Sequence, residues 1–125
     1  MPRDCTFPDE KDFEDHFRIY KNTHKINVVY KGISLLSRAA LYDNVELARQ
    51  LLSSPHISVN RQPNERASPL SIALGHSFEI TKLLLDRDDI DVNEEDANSV
   101  TPYMATCVLG RVDTFRLLLD RKFEN

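Results

Sequence analysis

This chain has 125 residues, 41% of them hydrophobic, which is the size of one small domain with a modest core. Its net charge of −4 gives no reason to expect nucleic acid or an anionic membrane as a partner. The two cysteines, Cys5 and Cys107, lie far apart, and no apolar run is long enough to span a bilayer, so a disulfide scaffold and a transmembrane helix are both excluded. We therefore expect a cytoplasmic or nuclear protein.

The N-terminal segment, residues 1–25, does not repeat and is predicted to form a tail and a capping helix. Within residues 10–22, Phe13, Phe17 and Tyr20 are spaced so that they form one apolar stripe on a helix. We expect this helix to cover the open face of the units that follow.

From residue 26 onward the chain repeats itself. Three leucine-rich clusters recur at spacings of 33 and 34 residues, namely Gln50-Leu51-Leu52, Leu83-Leu84-Leu85 and Leu117-Leu118-Leu119. Each cluster follows an earlier burst of apolar residues at helical spacing, and a polar break separates the two. A fixed period of this length is typical of a stacked-repeat protein. Residues 26–125 are therefore predicted to form one repeat domain, with units at about 32–64, 65–98 and 99–125.

The first helix of each unit has a predictable start. Ser68 precedes Pro69 and Thr101 precedes Pro102, so a hydroxyl group can cap the helix where a proline needs no hydrogen-bond donor. Ser34 is predicted to act in the same way, although leucine follows it. The second helices are predicted to end at two Asp-Arg pairs, Asp86-Arg87 and Asp120-Arg121.

Residues 86–96 hold seven acids and one base. Their alternating oxygen-bearing side chains suggest a calcium loop, but Glu94 stands where such a loop needs glycine and Val100 where it needs glutamate. A solvated acidic loop is the favoured interpretation. The histidines and cysteines likewise lack the spacing of a metal site or a catalytic pair, so we expect no metal, no cofactor and no enzymatic activity.

These features resemble the ankyrin repeat, whose pattern has Thr-Pro-Leu-His at the first helix, a glycine in the middle turn, a leucine cluster and Asp-Val-Asn before the next turn. The third unit matches it most fully, with Asp91-Val92-Asn93, Thr101-Pro102, Gly110 and Leu117-Leu118-Leu119. The resemblance covers about residues 26–120. It implies an all-α solenoid of helix-turn-helix units behind an N-terminal capping helix.

The chain also departs from the family pattern. The family's histidine is replaced by Ser37, Ser71 and Met104, so the hydrogen bond that would tie neighbouring loops is either lost or remade by serine. The glycine of the projecting turn, or finger, is kept only as Gly32, with Arg66 and Ser99 in the other units, which predicts tilted turns. The middle unit is one residue short between its two helices.

The resemblance implies a concave groove beside the fingers, where a partner binds. The groove positions are Leu41, Tyr42, Leu74, Val108 and Leu109, and all of them are apolar. The fingers supply Tyr30, Lys31, Ile33, Asn64, Glu65, Ala97 and Asn98. An apolar strip with a polar rim is typical of a protein-recognition patch, with Tyr30 and Tyr42 as aromatic anchors. The alternative is that the first helices rotate the groove side chains into the core.

The predicted function is non-catalytic protein–protein interaction, as an adaptor or an inhibitor that occupies a partner's surface. The partner is another protein, with neither nucleic acid nor a membrane involved. The alternative is a structural subunit or fragment that self-associates or docks through an apolar C-terminal face, where Phe115 and Phe123 lie close to the end of the chain.

Overall fold

The computed structural model describes residues 18, 23–30 and 32–123, and these form a stack of three helix pairs. A 3-10 helix, His24–Asn27, and a hairpin of β1, Val29–Tyr30, and β2, Ile33–Ser34, come first. The helices are α1 Leu35–Leu41, α2 Val45–Leu52, α3 Pro69–His76, α4 Phe78–Leu85, α5 Pro102–Leu109 and α6 Val112–Phe123. The predicted all-α repeat fold is confirmed. The predicted capping helix lies outside the described residues except for Arg18, which is helical.

The helices stack in two layers along the chain. The first helices pack in the order α1, α3, α5 and the second helices in the order α2, α4, α6. The buried apolar residues form a single core cluster that extends from Ile26 in the 3-10 helix to Leu118 in α6. A single helix pair has too little apolar surface facing inward to fold alone, so each pair buries its core against its neighbours.

The three first helices start where the sequence predicts. The side-chain oxygens of Ser34, Ser68 and Thr101 each accept a hydrogen bond from the backbone N–H three residues later, at 3.2, 3.1 and 3.3 Å. Pro69 and Pro102 occupy the first turn. These caps satisfy backbone donors that a helix leaves unpaired at its start.

The second helices end differently from one another. Helix α4 ends at Leu85, as predicted, but α6 continues through Asp120 and Arg121 to Phe123, so the predicted end at that pair is wrong. The arginines of the two Asp-Arg pairs bind the preceding unit instead. Arg87 donates to the carbonyl oxygen of Leu52 at 3.1 Å, and Arg121 donates to that of Leu85 at 2.9 Å. Each arginine thereby satisfies a carbonyl group at the end of the previous unit's helix.

The middle unit accommodates its missing residue through Ser77. This serine both ends α3, through its N–H to the carbonyl oxygen of Ala73 at 2.8 Å, and caps α4, by accepting from the N–H of Ile80 at 3.1 Å. Its hydroxyl group also donates to Asp43 of the first unit at 2.6 Å. One side chain therefore joins two helices and two units.

A row of asparagines ties the loops together at intervals of 33 residues. Asn27 donates to the carbonyl oxygen of His56 at 2.8 Å and accepts from the N–H of Ser58 at 2.7 Å. Asn60 makes the same pair of bonds with Asp89 and Asp91, both at 2.8 Å. Each amide thus satisfies a donor and an acceptor of the next loop, which fixes the register between units.

Glu65 is the polar centre of the junction between the first two units. Its side chain is only 2% exposed, and its Oε1 accepts from the N–H of Ser34 at 3.1 Å and from the hydroxyl group of Ser37 at 2.8 Å. Its Oε2 accepts from the N–H of Gln62 at 2.7 Å. The hydrogen bond that the family's histidine would make is therefore remade in the first unit by Ser37, with a buried carboxylate as its partner.

Replacing Glu65 with alanine should lower the free energy of unfolding by about 2–3 kcal/mol, because two buried donors and one partly buried donor would lose their acceptor. Urea unfolding followed by circular dichroism measures the loss. Glu95→Ala is the matched control, since Glu95 is exposed and should change the free energy by less than about 0.5 kcal/mol. Equal effects of the two substitutions would contradict the role assigned to Glu65.

Replacing Asn60 with alanine should cost about 1–2 kcal/mol, because both of its hydrogen bonds to the third loop are lost. Asn93 occupies the same position one unit later and is exposed, so Asn93→Ala should change the free energy of unfolding by less than about 0.5 kcal/mol. The same urea titration compares the two. If Asn93→Ala were as costly as Asn60→Ala, the asparagine row would not explain the register.

Candidate functional site

Three fingers project in a row beside the first helices. The first is the β1–β2 hairpin, in which Gly32 has a left-handed φ of 82°. The N–H of Arg66 in the second finger donates to the carbonyl oxygen of Gly32 at 3.1 Å, and the N–H of Ala97 in the third donates to that of Arg66 at 2.8 Å. The fingers are therefore held together by backbone hydrogen bonds.

The second and third fingers turn without glycine. Ser99 adopts a left-handed φ of 64° in the register of Gly32, whereas in the middle unit the left-handed residue is Asn64, at 74°, instead of Arg66. Asparagine enters this conformation more readily than most residues. In the third finger, the carboxylate of Asp96 accepts from the N–H groups of Asn98 and Val100 at 2.7 and 3.0 Å and so holds the turn.

The groove exposes three of its five predicted apolar residues. Tyr42, at the end of α1, is 67% exposed, and the guanidinium group of Arg38 lies 5.3 Å from the centre of its ring. Val108 and Leu109, at the end of α5, are 84% and 47% exposed. These three side chains lie at the same ends of two first helices.

Two of the predicted site residues are corrected by their burial. Leu74 is 1% exposed and belongs to the core. This agrees with the alternative interpretation, in which the first helices rotate groove side chains into the core. Glu65 is held inside by its three hydrogen bonds, so its carboxylate does not face a partner. Leu41 and Ile33 are half-buried.

The fingers contribute three exposed predicted residues, Asn64, Ala97 and Asn98. Lys31 and the side chain of Tyr30 lie outside the described residues. The finger part of the predicted site is therefore represented by the tips of the second and third fingers.

Basic side chains around the groove were missed by the sequence prediction. Arg66 packs over Gly32 and is exposed, and Arg111 donates to the carbonyl oxygen of Gly75, at the end of α3, at 3.3 Å. Arg38 lies beside Tyr42. The signals were available, since Arg38 precedes Tyr42 by one helical turn and Arg111 directly follows the glycine that ends α5. The described rim of the groove is therefore rich in arginine.

Two acids of the acidic loop, residues 86–96, accept hydrogen bonds from within the loop. Arg87 forms a two-point ion pair with Asp89 at 3.1 Å, and the hydrogen bonds from Arg87 hold the pKa of Asp89 below its usual value. Asp91 accepts from the N–H of Asn93 at 2.9 Å. Among the described residues, no group of three histidine, cysteine, aspartate or glutamate side chains is arranged to hold a metal ion.

Glu94 joins this loop to the preceding one. Its carboxylate accepts from the N–H of Arg61 at 2.8 Å. Burial raises the pKa of Glu94 above its ordinary value, the hydrogen bond from Arg61 partly offsets that rise, and the negative charge of Asp91 adds to it. The ionised side chain is therefore held at a cost to stability.

No helix within the described part of the chain has the length and apolar character needed to cross a membrane.

A family model described as ankyrin repeats matches residues 20–125 in three copies. This range includes every described helix pair and finger. A comparison with curated proteins finds no match.

Replacing Glu94 with glutamine should raise the free energy of unfolding at neutral pH, by less than about 1 kcal/mol because the side chain is only partly buried. The amide keeps an acceptor for Arg61 without a charge to desolvate. The pKa of Glu94 is raised in the folded state, so ionisation of this side chain destabilises the wild-type fold. This destabilisation develops as the pH rises through the ordinary and then the folded-state pKa of Glu94, and it is absent below both. The advantage of Glu94→Gln should therefore disappear in acid.

Urea unfolding of both proteins at neutral pH and at a pH below the ordinary pKa of glutamate measures this difference. Glu95→Gln serves as the control because Glu95 is exposed in the same loop. An advantage of Glu94→Gln that persisted unchanged in acid would contradict the assignment.

Proposed function

Since the chain belongs to the ankyrin-repeat family, whose members are general protein–protein interaction modules and are typically non-catalytic, we propose that it is an adaptor or an inhibitor that occupies a partner's surface through its groove and fingers. The partner is another protein. No cofactor, metal ion, nucleic acid or membrane takes part in the proposed function.

The observation that carries this proposal is the exposure of Tyr42 and Leu109. They occupy matching positions at the ends of α1 and α5, and solvent alone favours polar residues there. Tyrosine is enriched among the residues that dominate binding energy, because its ring buries a large area and its hydroxyl group keeps a polar partner. Tyr42 is therefore the proposed central anchor, with Leu109 as a second apolar contact.

The arginine side chains at the rim of the groove indicate which chemical groups the partner's surface should carry. Arg38, Arg66 and Arg111 place positive charge around the apolar groove, whereas the nearby carboxylate of Asp43 accepts a hydrogen bond from Ser77. Arginine in such positions pairs with carboxylates and directs association. The proposed partner surface is therefore an apolar patch bordered by acidic groups, with Asn64 and Asn98 adding polar specificity at the finger tips.

The free thiol of Cys107 fits the proposed location in the cytoplasm or nucleus, where thiols stay reduced.

Replacing Tyr42 and Leu109 with serine should weaken partner binding by at least about tenfold while the fold is kept, because exposed anchors contribute to binding and little to the core. The partner is first identified by affinity capture from the native host with the wild-type chain. Isothermal titration calorimetry then compares the purified proteins, and circular dichroism checks the fold of each variant.

Phe78→Ser is the matched control, because Phe78 is a 41% exposed aromatic residue at the start of α4, a second helix, and is not one of the proposed groove residues. Its substitution should leave partner binding unchanged. The proposal fails if the groove variant binds as tightly as the wild type, or if Phe78→Ser weakens binding equally.

A further inference from the structure

The last unit exposes residues at positions that are less exposed in the earlier units. Met104 is 53% exposed, whereas Ser37, at the same position in the first unit, is fully buried, and Ser71, in the second, is half-buried. Cys107 is exposed, whereas Ala40 and Leu74 at its position are 0% and 1% exposed. In the first and second units, the following unit stacks against the first helix and covers this position. The exposed side of α5 therefore continues the interface that joins α1 to α3 and α3 to α5.

Two rows of hydrogen bonds end at the same side of the stack. The asparagine row runs from Asn27 to Asn60 and ends at Asn93, which is exposed and makes no side-chain hydrogen bond with the described residues. The finger row ends at Ala97, after its bond to Arg66. The apolar surface, the end of the asparagine row and the end of the finger row are therefore exposed on the same side of the stack. They have the same register as the groups that join the existing units.

We propose that this C-terminal face, formed by Asn93, Met104, Cys107 and Val108, binds a helix pair of the same repeat type that belongs to a partner protein. Of the residues that the sequence predicts for such a face, Phe115 is half-buried against Tyr103, and the side chain of Phe123 lies outside the described residues. The required chemistry is given by the two junctions within the chain. The partner's loop must offer Asn93 a backbone carbonyl group and, two residues later, a backbone N–H. Its first helix must cover Met104 and Cys107 with small or apolar side chains.

A second copy of this chain does not meet these requirements. In its first unit, the residues that match Asp89 and Asp91 in register are Thr23 and Lys25. The carbonyl group of Thr23 already accepts from the N–H of Ile26 at 3.2 Å, and the N–H of Lys25 already donates to the hydroxyl group of Thr23 at 3.2 Å. Since an N–H group donates one hydrogen bond, that of Lys25 is not free to bind Asn93 of another copy, and one of the two required bonds cannot form.

The C-terminal face and the proposed groove share Val108 but differ in their other residues. Tyr42 and Leu109 carry the groove, whereas Asn93 and Met104 are specific to the face. Each surface can therefore be tested by substitutions at residues that the other surface does not contain.

The chain supplies its own probe for this surface. Residues 83–87 and 117–121 have the same sequence, Leu-Leu-Leu-Asp-Arg. A chain made of residues 1–121 followed by a second copy of residues 88–125 therefore reproduces the natural connection between the second and third units. The added copy stands in for the partner's unit and is held at high effective concentration.

The added unit should move the urea midpoint upward and slow amide hydrogen exchange in α5 by about tenfold, because a new nearest-neighbour interface covers that helix. Asn93→Ala and Met104→Asp, made in the third unit, should leave the midpoint of the natural chain nearly unchanged. In the extended chain, each should remove part of the gain. The folded state of each variant in the natural chain separates a loss of stacking from a failure to fold.

Three outcomes would overturn the proposal. The added unit could leave the midpoint and the exchange of α5 unchanged, or the two substitutions could act equally in both chains. Light scattering could also show the natural chain forming oligomers that are lost in Met104→Asp, which would assign the face to a second copy. The expected result is a monomer at every concentration measured.

Discussion

The structure depends on one constraint: a pair of short helices cannot bury its own apolar surface. The helices of the first two pairs are seven or eight residues long, so the core has to be assembled across the junctions between units. Several other stabilising features serve those junctions. The asparagine row, the arginines at the ends of the second helices and the buried carboxylate of Glu65 all bind groups of a neighbouring unit, and together they fix the register in which the apolar faces meet.

The junction between the first two units shows how the chain departs from its family while keeping that register. An imidazole ring at the position of Ser37 would tie the loops directly, but the shorter serine needs a longer partner, which Glu65 provides. The carboxylate is costly to bury and is compensated by three donors, so the junction tolerates the loss of any one of them poorly. In the second unit Ser71 is half-buried, and in the third Met104 is exposed. Buried hydrogen bonding at this repeat position is therefore concentrated at the junction between the first two units.

Much of the fold could be predicted from the sequence because the repeat period, the hydroxyl caps and the leucine clusters are local signals. The site was less predictable. Leu74 and Glu65 were assigned to a partner from their position in the family pattern, but the direction of a side chain depends on how neighbouring units pack. Because one residue is missing before Ser77, α4 begins directly after α3 ends. No local pattern of apolar residues shows how this affects the direction of the Leu74 side chain. The end of α6 was missed because the Asp-Arg pair also occurs at a helix end, after Leu85, and only the surrounding contacts distinguish the two.

The two exposed surfaces of the last unit meet at Val108. It is the most exposed large apolar residue described, and it lies one turn after Met104 on α5 and next to Leu109 at the groove. In the first unit the matching residue, Leu41, is half-buried because α3 packs beside it. A unit stacked on the C-terminal face would cover Val108 in the same way and would also extend the groove by one further first helix. The two binding events would therefore be coupled through this side chain, since a partner on the face changes the apolar area that remains for a partner in the groove.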